Sequence, residues 1–268
     1  MARSSENKTV QESYDGLRRW NRWAALLHAF QGVAILVLSK RAEVMVTTNY
    51  LTPDTVQSTL AGHTVLASAT HNLFAVNIGY VVALFFFITA TAHLIIGTAY
   101  RGRYEADLKK GVNRARWIEY AVSAGVMMIA VGLLAGVYDF STLLALFALT
   151  AVTNVLGLVM ELTNQGKKRA NWLPYWLGAA AGIVPWIIVG YYLLGAGLWG
   201  SGHIPAFVYW IYGTMFVSSA SFAAVLWMRF RGKGKWANYV YAERTFIILS
   251  LIAKAALAWQ VFAGTLRP

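Results

Sequence analysis

The chain has 268 residues, is 58% hydrophobic and only 13% charged, and carries a formal net charge of +12. Its charges are bunched between long apolar runs rather than spread along amphipathic faces, which is the composition of a membrane protein and leaves little chain for a separate soluble module. The absence of cysteine excludes disulfides, thiolate metal sites and thiol catalysis.

Seven runs of about 20 or more mostly apolar residues are each long enough to cross a hydrocarbon core of about 30 Å. The first, Trp20 to Ser39, follows a basic N-terminus as a signal peptide would, but it is too long and lacks a small-residue cleavage site, so it reads as a retained span. Lys40 to His71 is the one long connection. Its stretch Glu43-Val-Met-Val-Thr-Thr-Asn-Tyr-Leu51 is rich in β-branched residues, and Pro53-Asp54 follows as a turn, which predicts a small β-hairpin over the outer mouth, with an irregular loop as the alternative. The second span is Asn72 to Tyr100, the third Trp117 to Tyr138, the fourth Thr142 to Asn164, the fifth Trp172 to Ala196, the sixth Pro205 to Met228 and the seventh Val240 to Thr265. Short connections favour sequential antiparallel neighbours. Gly132 and Gly136, and Gly178 and Gly182, have the small-xxx-small spacing that lets helices approach closely, within the bundle or at a dimer seam. The expected fold is an all-α seven-transmembrane helix bundle with residues 1–268 as a single domain.

The cations alternate with the spans. Arg3, Lys8, Arg18, Arg19 and Arg22 precede span one; Arg101, Arg103, Lys109, Lys110, Arg114 and Arg116 lie between spans two and three; Lys167, Lys168 and Arg169 follow span four; Arg229, Arg231, Lys233, Lys235 and Arg244 surround the connection from six to seven. The other side holds only Lys40, Arg41 and Arg267. By the positive-inside rule the N-terminus is expected in the cytoplasm and the C-terminus outside. The basic balance is thus a topology signal, and a nucleic-acid partner is not expected.

Within the spans, Lys254 stands alone among apolar residues in Leu249-Ser-Leu-Ile-Ala-Lys-Ala-Ala-Leu-Ala-Trp-Gln260. It lies about 13 residues, or roughly 20 Å, from the inner end of its helix, too deep to snorkel easily. Burying a lysine at a helix centre costs about 2.5 to 3.5 kcal/mol on insertion scales. A salt bridge to a buried acid, a neutral amine or covalent use as an imine would each relieve that cost. Glu119 is the best partner acid. Glu161 is second, with a local surface pair near Lys167 as its expected role. For Glu119 to reach Lys254, the third helix is expected to start before Trp117, near Leu108. His28 and His93 fall about two turns in from the inner ends of their spans. With Gln31, Tyr120 and Ser250, which sits one turn from Lys254 on the same face, they form a candidate polar pocket able to take up a proton. Two histidines hydrogen-bonded between helices is the simpler alternative; no third ligand supports a metal site.

Seven spans with a lysine in the middle of the seventh is the arrangement of rhodopsins. Ser250-Leu-Ile-Ala-Lys254, continuing Ala-Ala-Leu-Ala-Trp259-Gln260, resembles the seventh helix of the heliorhodopsins, and Arg116-Trp-Ile-Glu119-Tyr120 resembles their third. The resemblance covers nearly the whole chain, including the long outer loop. It implies that Lys254 forms a protonated retinal Schiff base, that Glu119 is its sole carboxylate counterion, and that His28, His93, Ser250 and nearby Gln31 belong to a polar cavity beside it. It further implies all-trans retinal in the dark isomerising to 13-cis, a slow photocycle, a homodimer in the cell membrane, and light sensing through an unidentified cytoplasmic partner rather than ion pumping. One departure is Ala121-Val-Ser123-Ala-Gly125, where the family often has a serine-rich turn; fewer hydroxyls near the counterion bear on colour and photocycle rate.

Two other readings stay open on the sequence. A light-driven ion transporter needs a polar path from both sides, and the outer halves of the spans offer few acids. A non-photochemical carrier or membrane-embedded enzyme would also use isolated mid-span Lys and Glu residues. No nucleophile, base and orienter set supports hydrolytic or transferase chemistry, so an enzyme is not expected.

Overall fold

The computed structural model describes the backbone from Ala2 to Arg267 and side chains from Tyr14 onward, so the Arg3 and Lys8 side chains of the N-terminal basic cluster lie outside the described residues. In chain order the elements are α1 (Ala2–Leu38), β1 (Glu43–Pro53), α2 (Thr55–Ala61), β2 (Leu66–Asn77), α3 (Ile78–Gly97), α4 (Arg101–Lys109), α5 (Arg114–Leu134), α6 (Phe140–Thr163), α7 (Leu173–Trp199), α8 (Ala206–Arg231) and α9 (Tyr239–Val261). Seven of these helices, α1, α3 and α5 to α9, are long and apolar enough to cross a membrane. Their outer surfaces expose large apolar side chains, among them Trp23, Phe30, Leu198 and Trp210, which suits contact with lipid rather than water.

Successive spans run antiparallel, so every connection falls on one of two faces. The hairpin face carries β1 and β2, the α5–α6 turn and the end of α9. The opposite, basic face carries α4 and the cationic connections after α6 and α8.

The hairpin is longer than the sequence reading suggests. The two strands pair antiparallel from Glu43 opposite Asn77 to Pro53 opposite Leu66. Residues Asn72 to Asn77, read as the start of span two, are therefore strand, and the helix begins only at Ile78, where the Asn77 side chain accepts from the Gly79 N–H at 2.9 Å. Pro53-Asp54 does not close a tight turn. Asp54 instead caps the short helix α2, accepting from the Gln57 N–H at 3.0 Å, because an aspartate with extended backbone satisfies a first-turn donor. Gly62, at φ 70°, ends that helix.

Three backbone bonds lace the hairpin face together. The N–H groups of Lys40, Thr47 and Ile78 donate to Leu266, Tyr138 and Ala42 at 2.8, 2.9 and 2.9 Å.

The small-residue pairs separate into two uses. Gly178 and Gly182 of α7 lie against Thr153 and Leu156 of α6, a close helix approach. Gly132 packs on Leu143 and Leu146, also of α6, whereas Gly136 has φ 89° and open space beside it. Gly136 therefore serves the turn out of α5, where a left-handed backbone favours glycine, and not a packing seam.

The third span differs most from expectation. No continuous helix runs from near Leu108: α4 ends at Lys109, Gly111 turns the chain at φ 70°, and α5 starts at Arg114, capped by the Asn113 side chain accepting from the Arg116 N–H at 3.0 Å. This helix end is inside the protein. Asn113, Arg116 and Trp117 are buried, and the near face is covered by Tyr14 and Leu17 of α1 packed with Tyr104 and Leu108 of α4. At its rim, Asp15 of α1 and Arg101 of α4 pair at 2.8 Å.

Candidate functional site

Lys254 is 3% exposed, and its side chain runs back along α9 toward the N-terminal end, as helical side chains do. Its Nζ donates to Ser250 Oγ, one turn earlier, at 2.8 Å, and lies 3.3 Å from Glu119 Oε1. That backward reach, with the burial of the α5 start, brings together two residues that seemed too far apart in depth. Glu119 is buried as well and accepts from Thr89 Oγ1 of α3 at 2.5 Å. Lys254 Nζ also sits 5.3 Å from the centre of the Tyr120 ring, whose hydroxyl donates to the Phe246 carbonyl at 2.9 Å and so fixes the ring beside the amine.

The two candidate histidines meet. His28 of α1 and His93 of α3 stack with ring centres 5.7 Å apart, and His93 Nδ1 lies 2.8 Å from Asn21 Oδ1. Both nitrogens of His28 and Nε2 of His93 are buried without a hydrogen-bond partner. Gln31 does not join them. It is partly exposed on α1, and its amide turns to the Leu27 carbonyl of its own helix at 3.4 Å.

Lys254 and Ser250 form part of the wall of a cavity of about 310 Å³. Trp117, Tyr120 and Met128 of α5, Trp186 of α7 and Phe222 of α8 line it, and it runs from α9 to the small residues Gly178, Ala179 and Gly182 of α7. A mainly apolar, aromatic-walled cavity between helices, with one amine in its wall and a carboxylate paired to that amine, suits a long conjugated aldehyde. A buried amine is a group that can condense with an aldehyde, and a carboxylate beside it can balance a cation.

Toward the basic face, α5 builds a second charged cluster that the sequence reading missed. Arg116, 5% exposed, donates from Nη2 to Glu161 Oε1 at 2.6 Å and from Nη1 to Glu243 Oε1 of α9. Glu161 is thus not a surface partner of Lys167; it is 2% exposed and also accepts from the Asn113 N–H at 2.9 Å, Trp117 Nε1 at 2.8 Å and Tyr239 Oη at 3.2 Å. Asn113 Nδ2 donates to Glu243 Oε2 at 2.7 Å. The sequence reading counts Arg116 among the cations that connect spans two and three and does not single out Glu243. The available signal was spacing: Arg116 precedes Glu119 by three residues, which puts both on one face of α5. Asn21 likewise precedes His28 by seven, two turns on one face of α1.

The fully buried polar and charged residues among the described ones lie between the basic face and the level of Lys254: Asn21, His28, Thr89, His93, Asp107, Asn113, Arg116, Glu119, Ser123, Glu161, Asn164, Glu243 and Ser250; at the hairpin end the Ser39 hydroxyl is buried in a residue that is itself partly exposed. The hairpin half is filled by a continuous apolar cluster that includes Ile35, Val82, Leu133, Leu146, Leu257 and Val261. Among the described residues no group of three or more His, Asp or Glu side chains is placed to hold a metal ion.

The family model described as Heliorhodopsin matches residues 17–266, nearly the whole chain. No curated protein matches it.

Proposed function

The chain belongs to the heliorhodopsin family, whose members are retinal-binding, light-sensing membrane proteins, and on that premise we propose that Lys254 holds the chromophore and Glu119 is its counterion. The observation that carries this reading is the buried Lys254–Glu119 pair at 3.3 Å, with Lys254 on the wall of the aromatic cavity. Retinal supplies an aldehyde that condenses with an amine and a conjugated chain that isomerises in light.

The chain's own residues do the rest. Glu119 favours a positive nitrogen at Lys254, and Thr89 orients the carboxylate by its hydrogen bond. Ser250 accepts from the nitrogen one turn away, while Trp117, Tyr120 and Trp186 shape the aromatic walls of the slot. His28 and His93 stand stacked in the polar half of the bundle, beside the pair.

The fuller reading is a photoreceptor with all-trans retinal in the dark, a slow photocycle and a signalling output, acting as a homodimer in the cell membrane with its N-terminus in the cytoplasm. The cations of the basic face support that orientation. Signalling is favoured over transport because an ion crossing the bundle needs polar groups on both sides of Lys254, and the buried ones lie on one side.

The test is a visible absorption spectrum of protein supplied with all-trans retinal, for wild type and Lys254→Ala. The expected result is a band well to the red of free retinal that vanishes in the variant. A band that persists in Lys254→Ala, or no band in either, would sink the assignment. A light-driven pH change in cell suspension that collapses with a protonophore would replace signalling by transport.

A further inference from the structure

Between the Lys254 site and the Arg116 cluster lies a second, smaller cavity of about 20 Å³. Glu119 and His93 border it on one side, Arg116, Asn113 and Glu243 on the other, and Asn21, Tyr104 and Tyr120 line it together with the apolar Ala92, Ile96 and Ile247. Room for one water needs on the order of 10 to 15 Å³ by the same measure. Three of the lining residues have a buried polar atom without a partner: His93 Nε2, Tyr104 Oη and Arg116 Nε. A void of one-water size walled by unpartnered polar atoms is the setting in which a buried bridging water is held.

The Arg116 cluster is short of positive charge. One guanidinium faces two carboxylates, and the other groups against them, Asn113, Trp117, Tyr239 and Tyr104, are neutral. The carboxylates are not equivalent. Glu161 takes two donors on each oxygen, which fills its acceptor positions, whereas Glu243 takes one on each and also borders the small cavity.

We propose that Glu243 is an internal proton acceptor, reached from the Glu119 side through Tyr104 and one bridging water, and that taking up a proton there releases Glu243 from Arg116. This rests on the reading of Lys254 as the chromophore site. The proton leaves the Lys254 nitrogen, which ends neutral. Glu119, the water and the Tyr104 hydroxyl each accept one proton and pass one on, ending as they began, and Glu243 ends as a neutral carboxylic acid. Net charge is unchanged. The single excess negative charge moves from the Arg116 cluster to Glu119, and Arg116 is left in a balanced pair with Glu161. Residues 11 apart on α9, Lys254 and Glu243 are separated by about 16 Å along the helix, so the event is delivered to the second turn of α9, near its N-terminal end.

Light-minus-dark infrared difference spectra of the retinal-loaded protein test this. The expected result is a protonated-carboxyl C=O band that is absent in Glu243→Gln and shifted in frequency in Glu243→Asp, with Tyr104→Phe slowing its rise roughly tenfold or more. A wild-type protein that absorbs visible light but gives no such band, or a band unchanged in both Glu243 variants, overturns the proposal; the second result would place the proton on Glu119. A wild-type protein with no visible absorption would instead fail the assignment of Lys254. A readout independent of retinal is amide hydrogen exchange in the dark, retinal-free protein. Glu243→Gln, which mimics the neutral acid, is expected to speed exchange across residues 234–243 about tenfold through loss of a charge-assisted hydrogen bond, with the hairpin unchanged. Equal exchange in variant and wild type would refute the release of Glu243 from Arg116. If Glu243→Gln does not fold, Glu243→Asp decides through the band frequency alone.

Discussion

The two halves of the bundle are built on different principles. From Lys254 toward the hairpin, side chains pack as an apolar core whose specificity is shape. From Lys254 toward the basic face, the interior holds two charge groups, Lys254 with Glu119 and Arg116 with Glu161 and Glu243, and its specificity is electrostatic. Apolar packing tolerates loss of an atom at modest cost. A buried charge whose partner is removed has nowhere to go. The two halves should therefore respond unequally to substitution.

The largest effect is expected from Arg116→Ala, which strands two buried carboxylates. A loss of about 3 to 5 kcal/mol is the usual scale for breaking a buried pair, read by thermal or denaturant unfolding in detergent; a loss no larger than that of an apolar truncation would erase the contrast between the halves. Next is Gly125→Ala, near the boundary of the halves, where an added Cβ would meet the Phe147 ring at 2.6 Å. Overpacking against a rigid ring is expected to cost about 1 to 3 kcal/mol, and unchanged stability would mean that α5 and α6 can part. His28→Leu should change stability by less than about 1 kcal/mol, because it removes two unpartnered polar atoms rather than a bond. A large loss in the same unfolding measurement would show that the imidazole has partners of its own. Smallest is Gln31→Ala, expected within about 0.5 kcal/mol of wild type and without effect on the visible band, since this side chain bonds only within α1. A shifted band would restore Gln31 to the pocket.

The seven spans were legible because membrane-crossing helices must be long and apolar, and the hairpin because β-branched residues fill its first strand. Lys254 and Glu119 were legible because a charge inside an apolar run stands out. Arg116, Glu161 and Glu243 were not, because charges near the end of a run look like boundary markers. Depth read from sequence is depth from a helix end, and it misleads when the end itself is buried. Here α1 and α4 cover Asn113, so residues beside the start of α5 lie inside the protein. The aim of a side chain was equally hidden: Lys254 acts at the level of Ser250, one turn from its own Cα.

The three backbone bonds that lace the hairpin face have a mechanical consequence. Lys40 to Leu266, Thr47 to Tyr138 and Ile78 to Ala42 join the ends of α1, α3 and α9 and the α5–α6 turn through amide groups, which do not titrate in the physiological range. The corresponding ties at the other end are side-chain ion pairs, which a proton can dissolve. Helices α5, α6 and α9 are thus cantilevers, clamped at one end and latched at the other, and a change in charge at the ion pairs acts on them at the latched end.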